Sequence, residues 1–120
     1  MAEQLGIVSA NVGALSNAIR PIFKVPTGYG GITIKECKYL GSGAGTSWAS
    51  LVDLGTAGTA AGTIIAAGGT VVRTANVPND LSITAANAYV AEGHYVGLKE
   101  NNIGALDTVT IVDVAFAIGK

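Results

Sequence analysis

The chain has 120 residues, of which 49% are hydrophobic and only 12% charged, and its formal net charge is −1. That length suits one domain with a single core, large enough to be stable without a disulfide or a structural metal. The near-neutral balance and scattered Lys and Arg give no basic field for phosphates, which argues against a nucleic-acid partner. The single cysteine, Cys37, rules out an intramolecular disulfide, a thiolate zinc cluster and a CxxC redox pair.

The charged share is about half of that usual for soluble domains, so Thr, Ser, Asn, Ala and the 17 Gly must cover much of the exterior. Such a surface is weakly protected against association, and assembly with protein partners is the expected habit. No export signal is expected, because the start carries Glu3 without a basic cluster and Gly6, Ser9, Asn11 and Gly13 interrupt any apolar run. The span Leu54 to Val72 is long enough for a membrane helix but rich in Gly and Thr, so it reads as sheet and no membrane partner is expected.

In the first 26 residues, Leu5, Val8, Val12, Leu15 and Ile19 recur at helical spacing, yet Gly6, Ser9, Gly13 and Asn17 are poor helix formers. An extended N-terminal arm over residues 1–18 fits better, followed by a body over 19–120. A short strand at Ile19 to Val25 is confined to a sheet edge by Pro21 and Pro26. From Gly31 to Leu40 a two-residue alternation slips across Lys35-Glu36, as a β-bulge would produce, and Cys37 reads as a small apolar residue packed in this strand.

After the loop Gly41 to Thr46, Trp48, Ser50, Val52 and Leu54 alternate with Ala49, Leu51 and Asp53 in a second strand, with Trp48 expected in the core. Thr63 to Ala67 and Thr70 to Thr74 flank Gly68-Gly69, which predicts a tight hairpin. Val77-Pro78-Asn79-Asp80 predicts a turn, and Leu81 to Thr84 a strand. His94 to Glu100 alternates as a strand that ends in a reversal at Glu100-Asn101-Asn102. The last strand, Asp107 to Gly119, places Thr108, Thr110, Val112, Val114, Phe116 and Ile118 on one face. Seven or eight short strands joined by Gly-rich turns predict an all-β, single-domain antiparallel β-sandwich or jelly roll with minimal helix.

Chemistry-bearing residues are few. His94 stands without a second histidine, a GxSxG elbow or an HExxH pair, and a half-buried strand histidine is its expected role. Gly41, Gly43 and Gly45 lack the Gly-Lys-Ser/Thr ending of a phosphate loop, and Asp53, Asp80, Asp107 and Asp113 lack calcium-loop spacing. The sequence therefore predicts no catalytic residue, no cofactor and no metal. Tyr29 and Tyr95 are candidate interface aromatics, and Leu5, Ile7, Val8, Val12 and Leu15 are the apolar contacts of an arm spanning Gln4 to Leu15.

Three segments carry a likeness to a known group: Ala18-Ile-Arg-Pro-Ile-Phe-Lys-Val-Pro-Thr-Gly-Tyr-Gly-Gly-Ile-Thr-Ile34, Leu51-Val-Asp-Leu-Gly-Thr-Ala-Gly-Thr59, and Ala91-Glu-Gly-His-Tyr-Val-Gly-Leu-Lys-Glu-Asn-Asn102 followed by Thr108-Val-Thr-Ile-Val-Asp-Val114. In these the chain resembles small tailed-bacteriophage virion proteins that decorate, or cement, the capsid. The resemblance implies a jelly-roll-like sandwich on the capsid exterior, seated where major capsid protein subunits meet and stabilising the shell. It also implies a homo-oligomer, a homotrimer in preference to a homodimer, and it transfers no catalytic residue. A carbohydrate-binding, lectin-like module and a phage tail or neck structural protein are the alternatives, separated from it by a solvent-facing aromatic cluster and by ring size respectively.

Overall fold

The computed structural model describes residues 5–12, 18–28, 30–57, 62–103 and 110–120. Its strands are β1 (Leu5–Asn11), β2 (Ala18–Lys24), β3 (Ile32–Gly41), β4 (Gly45–Gly55), β5 (Thr63–Arg73), β6 (Asn79–Ile83), β7 (Tyr89–Val90), β8 (Tyr95–Ile103) and β9 (Thr110–Ile118). One 3-10 turn, Ala85–Asn87, is the only helical element among the described residues.

Four antiparallel pairs tie the chain's first half to its second half in reverse order: β1 with β9, β2 with β8, β3 with β6, and β4 with β5. Because β9 also pairs with β3 and β8 with β4, these nested pairs roll into two layers. One layer runs β1-β9-β3-β6 and the other β2-β8-β4-β5, which is the strand order of a jelly roll. Two residue pairs between β5 and β6, Ala66 with Ile83 and Ala67 with Ser82, stitch the layers along one side. On the opposite side β1 and β2 are the ends of the strand order and do not pair. The expected all-β jelly-roll sandwich is thus the observed fold.

Alternation drives both inner faces into one core. Ile32, Ile34, Cys37 and Tyr39 of β3 meet Ala49 and Leu51 of β4, Ile65 and Ala66 of β5, Val96 and Leu98 of β8, and Val112 and Val114 of β9, all 5% exposed or less. Each fully buried Leu, Ile or Val stabilises the fold by about 1.5–3 kcal/mol. The slip read at Lys35-Glu36 is present: the β3–β9 register shifts between Ile34 and Glu36, which turns Cys37 and Tyr39 back inward. Tyr39 buries its hydroxyl against the Ser47 hydroxyl at 3.1 Å. Register places the equally buried Glu100 and Thr110 toward that same end of the core.

Several local expectations are corrected. Gly68-Gly69 is not a hairpin: β5 runs unbroken from Thr63 to Arg73, and the two glycines form a bulge opposite Ala49, between the pairs Trp48·Thr70 and Ser50·Ala67. Gly69 supplies a φ of 66°, and a Cβ on Gly68 would stand 2.7 Å from Leu81 Cδ2. The turn expected at Val77 to Asp80 lies earlier, at Ala75-Asn76 with Asn76 at φ 60°, and Asn79 and Asp80 already belong to β6. No reversal occurs at Glu100-Asn101-Asn102, because β4 is long enough to keep pairing with β8 as far as Ile103. Trp48 is half-buried on the outer face, with Lys99 Nζ 5.8 Å from its ring, since Ser47, Ala49 and Leu51 take the inward positions.

Two measurements check this packing. A Cβ on Gly97 would lie 2.7 Å from Leu54 Cδ1 and 2.9 Å from the Arg20 carbonyl oxygen, so Gly97→Ala is expected to lower stability by about 1–3 kcal/mol, read as a shift in denaturation midpoint at unchanged slope. Burial first, then Asp113 and Glu36, push the Cys37 thiol from 9.0 up to about 12. The folded state therefore holds this proton more tightly than the unfolded chain. Its stabilisation is complete below pH 9.0 and is lost as pH rises toward about 12. Wild-type protein is expected to lose stability over that window relative to Cys37→Ala, and its native thiol is expected to resist alkylation at pH 8.

Candidate interaction surface

β1 lies antiparallel to β9 across seven consecutive residue pairs, Leu5·Ala117 to Asn11·Ile111, without a register shift. The Val12 N–H donates to the Thr110 carbonyl at 2.9 Å, which sets the phase of the ladder. In an antiparallel ladder alternate residues face the partner strand, so Gly6, Val8 and Ala10 direct their backbone groups to β9. The N–H and C=O of Leu5, Ile7 and Ser9 point the other way, and among the described residues no strand pairs with that edge. The same three side chains stand on the outer face, Leu5 69% and Ile7 77% exposed.

The two ends of the roll differ in how they are guarded. Edge strands of proteins that stay apart are commonly blunted by charge, proline or a bulge. β2 has all three: Arg20 and Lys24, Pro21 without an N–H, and a register break between Pro21 and Phe23. β1, Leu-Gly-Ile-Val-Ser-Ala-Asn, has none of them. The edge position read from the prolines for the second strand is the position that β2 occupies.

Between these two edges opens an apolar cleft of about 360 Å3, lined by Val8, Phe23, Val25, Pro26, Ile32, Phe116 and Ile118, with Lys24 as its one charged wall. Phe23 and Phe116 stack across it with ring centroids 6.3 Å apart, joining β2 to β9 where backbone pairing is missing. The Phe116 ring also lies across Gly6, where a Cβ would be 2.5 Å from it, so the glycine in β1 makes room for the ring.

Of the residues read as partner contacts, Leu5 and Ile7 lie side by side on the outer face of β1. Val8 turns into the cleft, and Val12 packs against the core. Tyr95 is half-buried beside β2, with Lys24 Nζ 5.6 Å from its ring centroid. Leu15 and Tyr29 lie outside the described residues. The neighbours of Tyr29 are pinned, because the Glu92 carboxylate accepts from the Gly28 and Gly30 N–H groups and the Tyr89 hydroxyl donates to the Gly30 carbonyl at 2.9 Å. Phe23, Phe116 and Ile118 were missed as a cleft. The signal available was the alternation of the last strand, which puts Phe116 and Ile118 on its inward face.

His94 precedes β8 and places Nδ1 3.0 Å from Asp53 Oδ1 and 3.2 Å from Oδ2, while Oδ1 also accepts the Gly55 N–H at 2.9 Å. The pair fastens the end of β4 to the start of β8 at the rim of a shallow hollow shared with Leu54, Gly62 and Thr63. Among the described residues no three His, Cys, Asp or Glu side chains are grouped to hold a metal ion, and no helix is long and apolar enough to cross a membrane. Comparison of the chain with protein-family models, with curated proteins and with solved structures gives no match.

The outer row of β1 and the cleft are expected to separate in mutagenesis. Ile7→Ser removes an exposed side chain and should leave stability within about 0.5 kcal/mol of wild type. Phe116→Ala should cost about 2–4 kcal/mol in a chemical denaturation titration, because its ring supports both Phe23 and Gly6.

Proposed function

We propose that this protein is a structural virion component, a capsid decoration protein that binds the exterior of a bacteriophage head where major capsid protein subunits meet, and that it acts without catalysis. The observation that carries the reading is the unguarded β1: an uncharged edge, free of proline and bulge, whose outward side chains Leu5 and Ile7 remain 69% and 77% exposed. A protein that keeps such a strand on a body with 12% charged residues has a surface suited to being covered. The rolled sandwich supplies the stiffness that a cement needs. Many identical weak contacts on a symmetric shell add up through avidity, so no single contact has to be strong.

The lectin-like alternative draws less from the fold. The described aromatics are spread over separate places: Tyr39 in the core, Phe23 and Phe116 in the cleft, Trp48 under Lys99, Tyr95 under Lys24 and Tyr89 against Gly30. They do not form the shared platform on which a sugar stacks. The jelly roll itself serves capsid, lectin and other proteins alike, so the surface and not the fold separates the two readings.

Co-sedimentation of the purified chain with heads assembled from the major capsid protein encoded in the same genome tests the reading. Saturable binding at a fixed ratio to capsid subunits is expected, weakened at least tenfold by the double change Leu5→Asp, Ile7→Asp. A chain that stays in the supernatant at every ratio contradicts it, and a positive glycan array in that case would favour the lectin.

A further inference from the structure

We propose that two copies of this chain pair through β1, antiparallel about a two-fold axis at Ile7, so that the layer β1-β9-β3-β6 continues from one copy into the other. The outward N–H and C=O groups of Leu5, Ile7 and Ser9 recur at every second residue, the spacing an added antiparallel strand requires. With the axis at Ile7, its N–H and C=O bond to those of Ile7 in the second copy, and Leu5 and Ser9 bond reciprocally. All three outward residues of each copy are then used.

Charge decides the occupant. A two-fold axis sets like beside like, so a charged edge opposes its own copy. β1 carries no charge at any of its seven positions, and self-pairing there meets no repulsion. The nearest ionised row on that face belongs to β9, where Asp113 stands opposite Ser9. Across the pair the two copies of Asp113 are three strand spacings apart sideways, about 14 Å, and displaced along the strands as well, beyond the screening length of about 8 Å at physiological salt. β2, by contrast, would bring the cationic Arg20 of one copy toward Lys24 of the other and offers no N–H at Pro21. Full use of the outward groups selects the register: with the axis at Ile7 all three outward residues bond within the pair and Ile7 meets Ile7 on the outer face. An axis at Gly6 would match Leu5 with Ile7 but leave Ser9 opposite a residue beyond β1, and an axis at Val8 would set Ile7 against Ser9 and Leu5 against Asn11.

The pairing leaves the outer side chains uncovered and doubles them into one patch of two Leu5 and two Ile7, whatever surface that patch attaches to. It favours a dimer over the trimer that the resemblance implies. It also does not depend on capsid binding: a dimer that ignores capsids contradicts the attachment reading alone, and a monomer that binds them overturns the pairing alone.

Light scattering and cysteine cross-linking of the full chain test it. The wild type is expected at twice the 12.0 kDa of one chain, and Ile7→Lys, which opposes two ammonium groups at the axis of a 77% exposed site, at the single-chain mass with an unchanged circular dichroism spectrum. Directly opposed residues in such a pair have Cα atoms about 5.5 Å apart, within disulfide reach. Under mild oxidation Ile7→Cys should therefore give a covalent dimer. Leu5→Cys and Ser9→Cys should link only when mixed with each other, while the buried Cys37 stays out of the reaction. A wild-type chain that is monomeric at millimolar concentration, or a dimer in which Ile7→Cys does not cross-link, overturns the proposal.

Discussion

The structure depends on the reversed pairing of its two halves. From the local β4–β5 hairpin outward, each nested pair joins segments farther apart in sequence, β1 with β9 being the most distant. None of the hairpins can bury its apolar face alone. The core of Ile34, Tyr39, Leu51, Ile65, Leu98 and Val114 forms only when both layers have rolled over each other. Such non-local order makes folding slow but leaves a stiff body in which surface strands sit in fixed places.

That rolling also dictates where the surface is unfinished. Two layers stitched by β5 and β6 on one side must expose two strand ends on the other, and these are β1 and β2. The chain closes the gap with side chains instead of backbone, by the Phe23–Phe116 stack and the apolar walls around it. It then treats the two edges unequally, with proline, charge and a bulge on β2 and only small or apolar uncharged residues on β1. The asymmetry is the physical basis for reading the protein as a binder of other protein surfaces.

Much of the fold was legible because it is written in local alternation. The bulge at Lys35, the inward Cys37 and the edge position of β2 follow from residue order and the missing N–H of proline. What misled were signals that serve two structures equally. A Gly-Gly pair supplies positive φ to a hairpin or to a bulge, and only the uninterrupted length of β4 decides for the bulge at Gly68-Gly69. The polar run at Glu100 looks like a reversal until the same β4 is found pairing beyond it. At Trp48 the period was right and the face was not, since small inward residues leave room for the opposite layer and the large ring is turned out. Of the proposed surface, Leu5 and Ile7 were expected as contacts from their apolarity, and both stand exposed on the outer face of β1. The cleft, assembled from β1, β2, β3 and β9, shows in the local pattern only as Phe116 and Ile118 on the inward face of the last strand, because its other walls come from distant segments.

Residue-resolved amide hydrogen exchange over a dilution series tests the account most directly, because it reads which backbone groups of β1 are engaged and with what. Gly6, Val8 and Ala10 should be protected at every concentration, their N–H groups being held by β9, while Ile7 and Ser9 should gain protection only as the protein is concentrated. Rapid exchange along the whole of β1, or slow exchange at Ile7 that dilution does not alter, would contradict it.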